Sequence, residues 1–200
     1  MPENNAVQGA INALKNGEII ILLDDEKREN EGDFVIAAEF ATPEKVNFML
    51  RYGRGILCVS IPEEKASSLG LTLLEKKNSR FGTPFTQPID ALGETSTGVS
   101  ASDRSKTIKL LADDSATEND FMQPGHIFPL VARKGGIKER PGHTEASLEI
   151  VKLAGLKPAA AIIEILQENG EMARLPQLKE IAEKHNLKMI SVRELLEFMK

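Results

Sequence analysis

The sequence has no tryptophan, a single cysteine and no surplus of basic residues. The lone cysteine, Cys58, rules out an internal disulfide and a cysteine-rich zinc site, and it fits a reducing compartment. A net charge of −5 argues against wrapping nucleic acid or docking on an anionic membrane. No apolar run approaches the ~20 residues that span a bilayer. The opening residues, MPENNAVQGAINAL, lack a basic region and a cleavage signature, so no signal peptide is expected and the protein is expected to be cytoplasmic. A chain of 200 residues suits one domain with a sizeable core.

What is present is a mixture of short buried strands and capped helices. Val7, Ala10, Ile11 and Leu14 recur at helical spacing over 6–16, and Gly17 is a natural stop. EIIILLD (18–24), FVIAAEF (34–40), GILCVSI (55–61) and AAAIIEIL (159–166) are too short and too continuously apolar for amphipathic helices. They read as strands buried on both faces. Thr42-Pro43 starts a helix, with Thr as cap and Pro in the first turn, and a short helix is expected after Pro62. Pro84 and Pro88 place GTPFTQPIDAL at a sheet edge or bend. Ser102 is expected to cap a helix reaching Leu111. HIFPLVAR (126–133) reads as a strand interrupted by Pro129. Thr144 is expected to cap a helix over 145–154 that stops at Gly155. A helix over 177–185, a strand KMISV and an S-x-x-E capping box at Ser191 and Glu194 complete the chain. The predicted class is α+β, a single domain with a mixed sheet layered between helices in a three-layer α/β/α sandwich.

The most informative stretch is DDEKRENEGD (24–33), where six of ten residues are acidic although apolar strands flank it. Such a loop can simply be solvated. Three features argue otherwise: the crowding of carboxylates, Gly32 as a backbone position that other residues resist, and Arg28 inside the cluster. Adjacent carboxylates become tolerable around a hard divalent cation, which prefers oxygen ligands and keeps several waters. A second stretch, ERPGHTEASLEIV (139–151), places Arg140 and a capped helix start where an anion can bind, with His143 able to ligate a metal. In GETSTGVSASDRSKTI (93–108), hydroxyls precede a helix. They can contact phosphate or serve as ordinary turn and cap residues. Glu164 stands in an otherwise apolar strand, where a carboxylate needs a partner or an open strand end and can serve as a proton shuttle. Cys58 taken alone reads as a core residue, and His185 as a surface one.

Taken in order, DDEKRENEGDFVIAAE, GILCVSI, TSTGVSASDRSKTI, PGHIFPL, RPGHTEA and the Glu of AAAIIEI followed by NGEMAR resemble the 3,4-dihydroxy-2-butanone-4-phosphate synthase family of riboflavin biosynthesis. The resemblance runs from about residue 5 to the C-terminus. It implies a lyase that converts D-ribulose 5-phosphate into L-3,4-dihydroxy-2-butanone 4-phosphate and formate. It also implies Mg²⁺ or Mn²⁺, two ions per site, held by Glu29 and His143. Substrate contacts fall on Arg28, Glu29, Asp33, Thr97, Arg140, Gly142, His143, Thr144 and Glu164, with Arg140 and Thr144 near the phosphate. Glu164, His126, Asp33 and Cys58 match catalytic positions. The resemblance further implies a homodimer with sites at the interface, Thr97 reaching the neighbouring protomer's site. Relatives with a fused GTP cyclohydrolase domain need a cysteine-rich zinc site, so the expectation here is one synthase domain over 1–200 without that fusion. Two rivals share some features: another metal-dependent isomerase or aldolase acting on a sugar phosphate, and a nucleotide- or RNA-binding module of related fold. The acidic balance and the missing tryptophan argue against the second.

Overall fold

In the computed structural model, residues 3–74, 81–93 and 95–200 are described. The apolar runs become the strands Ile20–Leu23 (β1), Gly32–Ala37 (β2), Cys58–Ile61 (β3), Ile89–Ala91 (β4), Phe121–Val131 (β5), Ala160–Glu164 (β6) and Lys188–Ser191 (β7). They form one seven-stranded sheet in the order β4-β5-β3-β6-β2-β1-β7. The sheet is mixed: β1 pairs β7 and β3 pairs β5 in parallel, and the remaining neighbours are antiparallel. Among the described residues, seven α-helices cover it: Glu3–Lys15 (α1), Pro43–Tyr52 (α2), Glu63–Ser68 (α3), Ala101–Leu111 (α4), His143–Leu153 (α5), Leu175–His185 (α6) and Val192–Phe198 (α7). No helix among the described residues is long and apolar enough to cross a membrane.

Two apolar clusters show the three layers. Strand side chains alternate in direction, so Ile21, Phe34, Ile36, Val59 and Ile163 join Val46 and Met49 of α2, Ile108 of α4 and Leu178 of α6 on one face. Ile20, Leu22, Val35, Cys58, Ala160 and Ile162 join Val7 and Leu14 of α1, Ile150 of α5 and Leu195 of α7 on the other. Both faces of the central strands are therefore apolar, which is why those runs carry no polar alternation. Asp33 and Glu164 share the parity of Val35 and Ile162, so they belong to the α5 side of the sheet.

Several expected boundaries move. FVIAAEF stays extended only to Ala37, after which Ala38–Phe40 form a 3₁₀ turn. The strand in GILCVSI starts at Cys58. Helix α4 is capped by Ser100, not Ser102; the Ser100 hydroxyl accepts from the Asp103 N–H at 3.0 Å. Pro129 does not interrupt β5. It lacks a donor, but its carbonyl accepts both the backbone N–H and the hydroxyl of Thr86 at 3.0 Å, so the strand continues through it. Thr42 and the Ser191/Glu194 box cap as expected, and β4 lies at the sheet edge, as the prolines indicate. His185 packs against the rings of Phe48 and Tyr52, at 5.0 and 4.5 Å between centroids, and is not a purely solvated residue.

Candidate active site

The acidic stretch is the turn between β1 and β2. Asp24 organises it from inside. Its Oδ1 accepts from the Asp25 N–H at 2.7 Å, and its Oδ2 accepts from Arg28 Nη1 at 2.7 Å and from the Glu29 N–H at 3.1 Å. Arg28 also pairs with Glu29 at 2.9 Å, and its guanidinium lies over the Phe81 ring. The left-handed residue in this turn is Asn30, with φ 56°, not Gly32. Gly32 is required for another reason: a Cβ there would lie 2.6 Å from Leu178 of α6.

The turn folds against the start of α5. The cap of that helix is Gly142, so Thr144 is not the cap and His143 occupies the first helical position. His143 Nδ1 lies 3.4 Å from Glu29 and 3.9 Å from Asp33. Gly142 is where two guanidiniums converge: a Cβ would meet Arg140 at 2.7 Å and Arg28 at 3.0 Å. Arg140 is fixed by Glu145, a fully buried acid 2.6 Å away, which also accepts from the Arg133 N–H. Arg28, Glu29, Arg140 and His143 line a cavity of about 210 Å³ with Glu31, Asp33, Ile56, Cys58, Phe81, Thr144 and Glu164.

Glu164 ends β6 directly opposite Asp33 on β2. Its Oε2 accepts from the Ile56 N–H at 2.7 Å, and Gly55 leaves the room that this carboxylate occupies. Cys58 begins β3 beside Ile162 and forms part of the cavity wall.

The charge states follow from burial and neighbours. Burial pushes the Asp33 carboxyl up to about 7, with Glu164 and Glu29 adding to the rise and His143 opposing it. Burial lowers His143, but the carboxylates of Asp33, Glu29 and Asp24 outweigh it and lift the imidazole to about 9. Burial raises Glu29, yet His143 and Arg28 hold it below the usual carboxylate range. Burial, with Glu164 and Asp33 nearby, pushes the Cys58 thiol well up, so it is a neutral thiol at neutral pH and not a thiolate.

Asp24, Glu29 and His143 each present a ligand atom within 4.8 Å of the others. The hydrogen bonds on both Asp24 oxygens commit that residue to shaping the loop, which leaves Glu29, paired through Oε2 with Arg28, and His143 as the ligand candidates. Buried His143 Nε2 and Asp33 Oδ1 have no hydrogen-bond partner. One carboxylate and one imidazole, whose unpartnered Nε2 can bind once the ring gives up its extra proton to the incoming ion, fit a divalent cation that keeps most of its waters.

Arg28, Glu29, Asp33, Cys58, Arg140, His143, Thr144 and Glu164 thus meet at one cavity, and Gly142 shapes its edge. His126 and Thr97 are not among its lining residues. His126 pairs with Asp90 at 2.7 Å on the β4–β5 edge, and Gly98, beside the exposed Thr97, packs against the same pair. The roles of Asp24, Glu31, Phe81 and Glu145 are not evident from the sequence. The acidic run marks the loop without telling ligand from brace, and Glu145 looks like an ordinary first-turn helix acid.

The sequence profile of 3,4-dihydroxy-2-butanone 4-phosphate synthase matches residues 8–198. The chain belongs to that family. It is 51% identical over 196 residues to the riboflavin biosynthesis protein RibBA of Cytophaga hutchinsonii, covering 97% of this chain and 48% of the relative. It is 49% identical over 195 residues to the 3,4-dihydroxy-2-butanone 4-phosphate synthase of Wolinella succinogenes, covering 97% and 56%. The chain therefore spans about half the length of these curated relatives. A crystal structure of a family member in complex with two magnesium ions superposes with a TM-score of 0.92 at 36% identity, covering 96% of this chain and 95% of that one. The α/β/α sandwich described above is thus the architecture of the synthase family.

Proposed function

We propose that the protein converts D-ribulose 5-phosphate into L-3,4-dihydroxy-2-butanone 4-phosphate and formate, using Mg²⁺ or Mn²⁺, two ions per site. The observation that carries this reading is the meeting of Glu29 and His143 at 3.4 Å, from segments more than a hundred residues apart, with Asp33 at 3.9 Å and Arg140 in the same cavity. The two magnesium ions in the family crystal structure support the ion count. Lewis-acid polarisation of the ketone and adjoining hydroxyl oxygens is what such cations supply. Glu29 and His143 would hold them.

The chain's own groups account for the rest. Arg140, whose buried Nε has no partner, and the free N–H groups at the start of α5 form a phosphate clamp beside Thr144. Fixing the phosphate sets the carbon chain along the wall toward Asp33 and Glu164. Asp33, with a free Oδ1 and a pKa near neutrality, suits removal and return of a proton beside the ketone. Glu164, anchored through one oxygen by the Ile56 N–H, offers the other for protonating a departing hydroxyl. Cys58 closes the wall as a neutral thiol that excludes water.

A homodimer with shared sites is part of the same reading. His126 has a side chain 42% exposed and lies with exposed Thr97 away from the cavity lining, while Leu92 and Val99 nearby expose 52% and 48% of their surface. This edge suits contact with a second copy, whose cavity would receive the two residues. The protein is expected to act in the cytoplasm.

The experiment is product analysis. Purified protein incubated with D-ribulose 5-phosphate and Mg²⁺ should release formate. A chelator should abolish release, and added Mg²⁺ should restore it. Turnover that persists in metal-free protein would remove the cation from the reading. A metal-dependent product without formate would favour an isomerase or aldolase.

A further inference from the structure

Glu29 is held by its backbone on both sides. Its N–H is taken by Asp24 Oδ2 at 3.1 Å, from within the turn. Its carbonyl accepts from Nη1 of Arg174 at 2.9 Å, across 145 residues of chain. The same Nη1 also bonds the carbonyl of Asn30. Two successive carbonyls turn toward one donor because Asn30 has a left-handed conformation, φ 56°, which asparagine tolerates better than most residues. Arg174 is itself set on a rigid mount. Its backbone N–H caps α6 through the Gln177 side chain at 3.2 Å, the preceding Ala173 is fully buried, and Leu178 is 1% exposed where it packs on Gly32.

We propose that Arg174 is a positioning residue for the cation site, fixing the peptide after Glu29 so that the Glu29 carboxylate points at His143. This rests on the reading of Glu29 as a cation ligand. Two physical effects reinforce each other here. A fixed carbonyl fixes the peptide plane and so the direction of the side chain that precedes it. The guanidinium also places a permanent positive charge behind a turn carrying Asp24, Asp25, Glu26, Glu29 and Glu31, opposing the mutual repulsion that would open it. Arg174 touches neither ligand atom, so its effect is on how well the site is formed before the cation arrives.

The test is direct binding of Mn²⁺ to wild-type protein and variants, read as free Mn²⁺ by electron paramagnetic resonance. Arg174→Ala is expected to weaken binding about 10- to 100-fold, the range for loss of an outer partner of a metal ligand. The cation concentration giving half-maximal formate release should rise in parallel, while kcat at saturating cation falls only modestly. Gln177→Ala removes only the acceptor of the Arg174 N–H, leaving buried Ala173, Leu178 and both carbonyl bonds in place, and should leave Mn²⁺ affinity unchanged. Arg174→Lys keeps the charge but carries its nitrogen on a shorter, unbranched stem that reaches the two carbonyls less well, and an intermediate affinity supports the clamp. Wild-type affinity in Arg174→Ala or in Arg174→Lys overturns the proposal, as does equal weakening by Arg174→Ala and Gln177→Ala. Should wild-type protein itself bind no Mn²⁺, the cation reading falls and takes this inference with it, which is distinguishable from failure of the clamp alone.

Discussion

Asp33 and Glu164 face each other as direct partners on the antiparallel β2–β6 ladder, their side chains on the same side of the sheet. Cross-strand neighbours lie within about 5.5 Å between Cβ atoms, so the two carboxyls necessarily influence each other. The environments differ. Asp33 is 3% exposed with one free oxygen, and Glu164 is anchored by the Ile56 N–H. The neighbouring Glu164 charge adds to the rise that burial gives the Asp33 carboxyl, an environment suited to proton exchange at Asp33.

The first prediction concerns this pair. Asp33→Asn and Glu164→Gln preserve shape and remove the ability to exchange a proton. Each is expected to lower kcat for formate release by about 10²- to 10⁴-fold, the usual worth of a positioned acid or base. Thermal unfolding should shift little, because neither change removes packed volume. Retention of near-native turnover by either variant would take that residue out of the proton-transfer role.

Two glycines should fail in different ways. At Gly32 a methyl would meet Leu178 of α6, a buried core residue, at 2.6 Å. Gly32→Ala is expected to destabilise the fold by about 1–3 kcal/mol, as overpacking does, which a denaturant titration would report. At Gly142 a methyl would meet the far ends of Arg140 and Arg28, and these can swing aside. Gly142→Ala should leave the unfolding midpoint near wild type and raise KM about tenfold through misplaced guanidiniums. If Gly142→Ala unfolded easily while KM stayed constant, the two arginines would not be the groups that matter there.

The acid stability of the α4 entrance provides a third prediction. Asp103 accepts from the Ser96 N–H and hydroxyl and from the Gly98 N–H. The Ser96 hydroxyl and backbone bonds hold its carboxyl down at about 2 against an ordinary value of 3.8. Because the folded pKa lies below the unfolded one, this stabilisation is fully present above about pH 4 and is lost as pH falls toward 2. Asp103→Asn should lower stability at pH 7 and flatten its dependence on pH between 4 and 2. Equal slopes for the two proteins across that interval would contradict the assignment.

Much of this was legible in the residues, and the misses have physical causes. Continuously apolar strands, the Thr42 cap and the Ser191/Glu194 box are local signals, and the structure keeps them. Boundaries moved where a distant partner decided the matter. Thr86 supplies the hydrogen bonds that keep Pro129 in β5, and the cap of α5 falls two residues before Thr144, at Gly142, whose missing side chain leaves room for two arginines. The acidic turn and the Arg-Pro-Gly-His-Thr corner were each recognisable, yet their meeting depends on strand order. Asp24 illustrates the limit: one acid among six, distinguished only by the three donors that surround it. Arg174 closes the NGEMAR segment, but nothing local marks its role, since its partners are backbone carbonyls far along the chain.

The last prediction addresses the shared site. His126 and Thr97 lie outside the cavity lining, whereas Glu29 and His143 lie within it. If a second copy supplies the first pair, His126→Ala and His143→Ala damage different halves of each composite site. Each homodimer should be inactive. A 1:1 mixture that has been unfolded and refolded together would hold half its chains in mixed dimers, each with one intact site and one doubly damaged. A two-fold symmetric interface therefore predicts recovery of roughly a quarter of wild-type formate release. A control mixture of His143→Ala with Glu29→Gln should recover nothing, since both lesions fall in the same half and no site is repaired. Absence of recovery in the first mixture, with mixed dimers verified by a mass tag on one variant, would place His126 in its own protomer's chemistry or outside it altogether.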